Sequence, residues 1–271
     1  MTILVTGGTG LVGSRLLRRF VDAGIECRAL VRSGKELPAG VTRVEGDLFD
    51  AASLKQAVEG VSAVIHLAAV FRTPDEGEIW RANLEGTRAL IAAVQEHAPQ
   101  ARFVMASTSL VYGEEASRPG LEDDEVHPKH AYPASKVAAE KELRESELNW
   151  SILRLPFVYG DGDGHLASVP GIVSRMKCHP AQTFSLAHQR DVARAFELAL
   201  TGVMDGRIVN IADDAPSTLY EMAKAIGVAI EPSAQPLNNP WWGRADGALS
   251  RSLGFRPIVA TLYQAVQEGI L

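Results

Sequence analysis

The sequence predicts an α/β fold built on a doubly wound parallel sheet, with a small C-terminal lobe attached. Three observations predict it. Over roughly the first 160 residues, short β-branched runs alternate with amphipathic segments of helix length, the pattern of strands joined by crossover helices. Most strand candidates carry continuous apolar runs rather than a strict alternation, as in a parallel sheet covered on both faces. A glycine-spaced turn, Thr6-Gly7-Gly8-Thr9-Gly10-Leu11-Val12-Gly13, separates the first strand from the first helix.

Taken in order, residues 3–5 read as the first strand and 13–23 as the amphipathic helix it feeds. Residues 27–31 and 41–45 continue the sheet, 51–59 form the second helix, and 63–66 the fourth strand. A long helix over 78–97, a strand over 102–106, a second long helix over 133–148 and a strand over 150–155 follow. Right-handed crossovers between parallel strands then make the sheet doubly wound. After Pro156 the texture changes, because eight of the fourteen prolines lie from Pro156 to Pro257 and the segments shorten. Residues 161–186 read as loops with one short helix, 190–200 as a helix returning to the sheet, 207–211 as a late strand, and the rest as a helical tail. The expected division is a sheet domain over 1–160, with return elements at about 187–212. A substrate-covering lobe would comprise 161–186 and 213–271. No internal repeat or low-complexity tract interrupts the chain.

At 271 residues and 46% hydrophobic, the chain can bury a large core. A net charge of −6 without a basic run argues against nucleic acid or an anionic membrane as partner and leaves a small molecule. Cys27 and Cys178 are too few for a disulfide framework, and the seven histidines show no metal-ligand spacing. Met1 leads straight into residues 2–5 with no basic leader, and no apolar stretch approaches the ~20 residues of a membrane span. A soluble cytoplasmic protein without a metal is the expectation.

The glycine turn has the chemistry of a dinucleotide phosphate site. Gly7, Gly10 and Gly13 permit positive backbone angles, close approach of main chain to a pyrophosphate, and tight helix–strand contact. The free amides of the helix start, around Leu11 and Val12, then face the phosphate charge. An ordinary glycine-rich turn is the alternative, but the preceding strand and following helix favour the cofactor. Arg32 lies 19 residues after Gly13, where a carboxylate would suit NAD and an arginine suits the 2′-phosphate of NADP. NADP is therefore favoured over NAD, with Ser33 and Lys35 as supporting donors. Asp47 either accepts from the adenine amino group or belongs to a surface turn.

About 120 residues on, Tyr132-Pro133-Ala134-Ser135-Lys136 puts a phenol and an ammonium one helical turn apart on one face. Pro133 suits the first helical position, leaving Tyr132 at the helix entrance. A free phenol has a pKa of about 10 and is a poor base at neutral pH. A neighbouring ammonium and an oxidised nicotinamide would lower it. Thr108, closing the fifth strand, can hold the substrate oxygen. Tyr132 would then exchange the substrate proton, and Lys136 would tune Tyr132 and hold the nicotinamide ribose.

These motifs together resemble the NAD-dependent epimerase/dehydratase family of extended short-chain dehydrogenases/reductases, whose fold is of the Rossmann type. The matching stretches are 6–13, Gly46-Asp47-Leu48, His66-Leu67-Ala68-Ala69, Asn83-Leu84-Glu85-Gly86-Thr87, 107–113, 132–136 and 153–160, in family order, with a later likeness at 188–193. The resemblance implies that Leu67, Ala68 and Ala69 line the cofactor channel and that Leu48 accompanies Asp47 at its adenine end. It also implies that Pro156 and Val158 lie against the nicotinamide, that Asn83 organises the site, and that two long helices form a homodimer.

Two departures from the family pattern narrow the chemistry. Dehydratases carry an acid just after the threonine, whereas Ser109 and Leu110 follow Thr108. Members that hold a nucleoside diphosphate place an arginine seven residues before the aspartate matching Asp191, and that position is Phe184. The loop over 114–125 is acidic and would repel a diphosphate if it faced the pocket, although a solvated face is its simpler reading. Cys178-His179 read as loop residues, His188 and Gln189 either face the substrate or, for His188, serve as a buried structural hydrogen-bonder, and Trp241-Trp242 either caps the pocket or staples the tail. An oxidoreductase of a secondary alcohol is the leading expectation, followed by a sugar or nucleotide-sugar epimerase and then a non-catalytic dinucleotide sensor.

Overall fold

Seven strands, all parallel, carry the architecture of the computed structural model, which describes residues 1–271 with the Met176 side chain excepted. The first six are β1 (Thr2–Thr6), β2 (Glu26–Val31), β3 (Thr42–Glu45), β4 (Ala63–His66), β5 (Arg102–Thr108) and β6 (Asn149–Leu155). Three short strands follow, β7 (Phe157–Tyr159), β8 (Thr183–Phe184) and β9 (Leu186–His188). Next come β10 (Arg207–Asn210), the seventh strand of the main sheet, and β11 (Ser217–Thr218). The main sheet runs β3-β2-β1-β4-β5-β6-β10. Its order reverses between β1 and β4, and in such sheets the crevice beyond the carboxyl ends at that reversal is where ligands bind.

Helices cover both faces, as the apolar runs of the central strands require. On one face, Leu16, Leu17 and Phe20 of α1 (Leu11–Asp22) join Ile3 and Val5 of β1, together with Val192 and Phe196 from farther along the chain. On the other, Leu4, Val64, Phe103 and Ile152 pack beneath α2 (Ala51–Val58), α4 (Gly86–His97) and α5 (Ala131–Glu145). The alternation of Ile3, Leu4 and Val5 between the two clusters follows from the strand's two-residue period.

The long helix expected over 78–97 is broken. It consists of α3 (Glu76–Trp80), a wide π turn over Arg81–Glu85, and then α4. α5 begins at Ala131 with His130 as N-cap, so Pro133 is its third residue rather than its first. The proline is tolerated because its missing amide is still among the four that no helical carbonyl reaches. β5 extends to Thr108, and α1 starts at Leu11.

Beyond β6, the chain forms two small sheets, β7 with β9 in parallel and β8 with β11 antiparallel. α6 (Val169–Met176), α7 (Gln189–Leu200), α8 (Leu219–Ala225), α9 (Ala248–Ser252) and α10 (Leu262–Glu268) complete it. Tyr159, Phe184, Leu186, Leu219 and Met222 form a hydrophobic cluster separate from those on the main sheet. None of the described helices is long and apolar enough to cross a membrane.

Phe103, fully buried under α4 and α5, gives a direct test of this packing. Phe103→Ala should lower unfolding free energy by about 3–5 kcal/mol in urea titration, the range for truncating a buried phenylalanine. A change under about 1 kcal/mol would contradict the packing described.

Candidate active site

The glycine turn closes on itself as a phosphate cradle requires. Gly7 has φ +72°, and a Cβ there would sit 2.6 Å from the Ala68 amide nitrogen. A Cβ on Gly13 would run into the Gly7 carbonyl, so the helix can approach the strand only with glycine there. Gly10 donates to that same carbonyl at 3.0 Å and is the N-cap of α1, with no side chain capping the first amides. No acidic residue stands in the first turn of α1. Open amides without a competing carboxylate suit a dinucleotide pyrophosphate. Arg32 and Lys35 are exposed just past β2. Asp47 Oδ1 accepts from the Phe49 amide at 2.7 Å, so its carboxylate caps a local turn. Leu48 packs against Gly86.

Behind the turn runs a buried chain of hydrogen bonds that the sequence did not disclose. Thr87 gives its hydroxyl proton to the Asn83 carbonyl at 2.6 Å. The His66 Nε2 contact to Thr87 at 2.9 Å therefore carries the ring proton, and Nδ1 accepts from the Thr6 hydroxyl at 2.6 Å. Thr6 in turn accepts from the Ala68 amide at 3.4 Å. Burial, with the Lys136 ammonium adding to it, pushes the His66 pKa down to about 3. The ring is neutral, as the chain of donors and acceptors demands.

Asn83 sits in the π turn, fully buried. Its Oδ1 accepts from the Val70 amide at 2.7 Å, and its Nδ2 donates to the Val70 carbonyl at 2.9 Å and to Ser135 Oγ at 3.0 Å. Ser135 donates onward to the Tyr132 carbonyl at 2.7 Å. One side chain thus joins the segment of Leu67, Ala68 and Ala69 to the helix bearing Tyr132 and Lys136.

Tyr132, Lys136 and Glu140 are spaced one turn apart along α5. Glu140 accepts from Ser107, the neighbour of Thr108 on β5, which holds this helix face at the end of that strand. Glu140 also takes Arg154 of β6 in a two-pronged pair at 2.7 and 3.1 Å, both side chains almost fully buried. Arg154 reaches the Tyr112 hydroxyl at 3.1 Å, and Tyr112 donates to Asn210 of β10 at 2.7 Å. Glu140 was readable as four residues beyond Lys136. Arg154 was readable as a charge inside an otherwise apolar strand.

Burial lowers the Lys136 pKa to about 8 against the opposing pull of Glu140. Tyr132 departs from expectation, since burial alone pushes its phenol up to about 12. Loss of water disfavours the phenolate, and Lys136 does not offset that loss. Thr108 Oγ1 accepts from the Leu110 amide at 3.1 Å, which leaves its own proton to donate elsewhere. Leu155 pairs in register with Thr108, so Pro156 and Val158 emerge beside it.

Next to Pro133, a cavity of about 400 Å³ is lined by Leu110, Pro133 and Trp242 and by residues of the loop over 113–130. Glu114, Glu115, Asp124 and Glu125 face it, so part of the acidic loop does border a pocket. Asp124 is neutralised by Arg118 at 2.6 and 2.9 Å. Phe184 is buried edge-on to Trp242, with ring centroids 5.4 Å apart, which makes Trp242 both a staple of the tail and part of the cavity wall. His188 accepts from the Arg190 amide and bonds to the Ile270 carbonyl, and His179 bonds to Gln235, so both serve structure. Cys27 and Cys178 are free, and the described residues hold no cluster of metal ligands.

A doubly wound sheet with a glycine cradle at its switch point, and a tyrosine–lysine helix beside it, defines a dinucleotide-dependent enzyme of the short-chain dehydrogenase/reductase type. Residues 3–212 match the NAD dependent epimerase/dehydratase family, and the chain belongs to it. A 4-hydroxy-2-methyl-3-oxo-4-farnesyl-3,4-dihydroquinoline-1-oxide ketoreductase from Stigmatella aurantiaca is 30% identical over 81% of this chain and 70% of its own. A 3-beta-hydroxysteroid dehydrogenase from Mycolicibacterium neoaurum is 28% identical over 84% of this chain and 69% of its own. Among solved structures, MoeE5 in complex with UDP-glucuronic acid and NAD superposes with a TM-score of 0.80 at 26% identity, covering 98% of both chains.

The neutral His66 ties stability to pH. Its folded pKa lies below the unfolded value of 6.5, so its contribution is complete above that value and is lost as pH falls toward about 3. Wild-type protein should lose stability over this window more steeply than His66→Gln, measured by urea unfolding at stepped pH. Parallel pH curves for the two proteins would show that the imidazole is not held neutral.

Proposed function

We propose that this protein is an NADP-preferring oxidoreductase that interconverts a secondary alcohol and a carbonyl on a small or medium-sized substrate. The observation that carries this reading is the Tyr132–Lys136–Glu140 face of α5, bound through Ser107 to the strand end that presents Thr108. Bound dinucleotide supplies the hydride donor and acceptor. Tyr132 gives its proton to the carbonyl oxygen in reduction and takes it from the hydroxyl in oxidation, while Thr108 donates a hydrogen bond to the same oxygen. With burial raising Tyr132 to about 12, the phenol stands ready as an acid near neutral pH. Its use as a base needs positive charge nearby, from Lys136 and the oxidised ring. Lys136 also holds the nicotinamide ribose, and Asn83 keeps Val70 and Ser135 in place around the pair.

The cofactor reading assigns the pyrophosphate to Gly7, Gly10 and Gly13 and to the amides of Leu11 and Val12. Arg32, with Lys35, takes the 2′-phosphate, and Asp47 and Leu48 flank the adenine. Leu67, Ala68 and Ala69 line the channel, with Pro156 and Val158 against the nicotinamide. Residues 161–186 and 213–271 serve as the lobe that covers the substrate. The assembly is a homodimer through the helical stretches 78–97 and 133–148, which pack side by side within one protomer through the Arg88–Glu142 pair at 2.7 Å, and the protein works in the cytoplasm.

The second reading, an epimerase of a sugar or nucleotide-sugar, draws on the likeness to MoeE5, whose complex contains UDP-glucuronic acid. It would use the same residues without net redox change. Phe184 in the place of a clamping arginine, buried against Trp242, and the carboxylates bordering the cavity weigh against it.

Incubation with NADP and candidate alcohols separates these readings. Accumulating reduced nicotinamide supports the oxidoreductase, and isomer exchange without it supports the epimerase. Tyr132→Phe should bind cofactor normally and lose turnover by about a hundredfold or more; near-normal turnover would remove Tyr132 from the chemistry. Arg32→Asp should weaken NADP binding far more than NAD binding in fluorescence titrations, and equal effects on both would remove the reason for preferring NADP.

A further inference from the structure

We infer that Phe71 is a specificity-determining residue, an aromatic wall beside the Tyr132 phenol that selects substrates with an apolar group next to the reacting carbon. This rests on the oxidoreductase reading above and names its substrate class. The Phe71 ring lies 4.3 Å from that of Tyr132, tilted by 39°, yet Phe71 is 47% exposed. One part of the ring covers the phenol, and the remainder is apolar surface whose removal from water favours binding.

The ring is held there by the machinery of the site. Val70, its neighbour in the chain, is fixed through both its amide and its carbonyl to Asn83, at 2.7 and 2.9 Å. The same Asn83 grips Ser135 on the helix that carries Tyr132. Phe71 and Tyr132 are therefore referenced to one buried side chain, and their contact is a fixed part of the site.

A second aromatic pair lies just past β6. Phe157 stands two residues beyond Leu155, the register partner of Thr108. Its ring stacks on His165 at 4.2 Å with 11° between the planes. His165 Nδ1 donates to the Val158 carbonyl at 2.7 Å. Burial depresses the His165 pKa against the opposing hydrogen bond to the Val158 carbonyl, so this imidazole is neutral. Arg72 nearby is exposed, and solvent screens its charge. An apolar flanking group gains the exposed part of the Phe71 ring, whereas a polar one would give up water for no hydrogen bond from that ring.

The test compares two ketones, acetophenone and hydroxyacetone, in NADPH-dependent reduction by the full chain. Wild type should show kcat/KM for acetophenone at least about tenfold above that for hydroxyacetone, in the range that shape and polarity of a pocket supply. Phe71→Ala should lower the acetophenone value by about tenfold while moving hydroxyacetone by less than about threefold, and Phe71→Leu should recover most of the loss. Circular dichroism and tryptophan-fluorescence titration with NADPH establish that each variant folds and binds cofactor. An equal loss with both ketones, a preference for hydroxyacetone, or reduction of neither by protein that binds NADPH would overturn the role of Phe71 and leave the oxidoreductase reading standing. Failure of wild type to bind NADPH would overturn both.

Discussion

The buried pair of Glu140 and Arg154 is the interaction on which the rest of the site depends. A carboxylate and a guanidinium removed from water are tolerated only when nearly all their hydrogen-bonding capacity is met. Here Ser107 completes Glu140 and Tyr112 extends Arg154. Each of those partners belongs to a different segment, so satisfying the charges fixes α5 against β5, β6 and the loop after Thr108. Through Tyr112 and Asn210 the same network reaches β10 and the carbonyls of Gly120 and Asp246. Position and solvation are coupled at this point. The helix face that this network holds against the sheet also withholds water from Lys136, and burial lowers its pKa to about 8.

A second constraint governs the cofactor side. Every contact in the chain from Ala68 through Thr6, His66 and Thr87 to Asn83 has one consistent direction of donation. The π turn matters here because it bears both the carbonyl that ends the chain and the Asn83 side chain that begins the link to Ser135. The glycine turn and the helix bearing Tyr132 and Lys136 thereby share a common support. Protonation of His66 would reverse a donor inside a fully buried chain, and its depressed pKa follows from the same burial.

The strand–helix alternation, the parallel sheet and the glycine cradle were legible in the sequence because each rests on local spacing. Tyr132 and Lys136 were legible for the same reason, being one helical turn apart. The broken helix at 81–85 was not, since a π turn leaves the apolar periodicity on either side nearly intact. Residues 157–159 and 186–188 were not recognised as paired strands, because their partners lie far apart in the chain and each run is only three residues long. The expected lowering of the Tyr132 pKa was read from its charged neighbour, without the desolvation that only packing reveals. The acidic loop was read as solvated, and several of its carboxylates border a cavity.

By itself, the sequence determined the fold class, the family and the residue types available for chemistry. These depend on periodicity, on glycine's freedom at the turn after β1, and on side chains one helical turn apart. Tertiary structure decided the tautomer of His66, the pairing of Glu140 with Arg154, and the wall that Phe71 forms beside Tyr132. Each of these joins segments brought together only when helices close over the sheet, and each takes its strength from the exclusion of water, which residue spacing does not record.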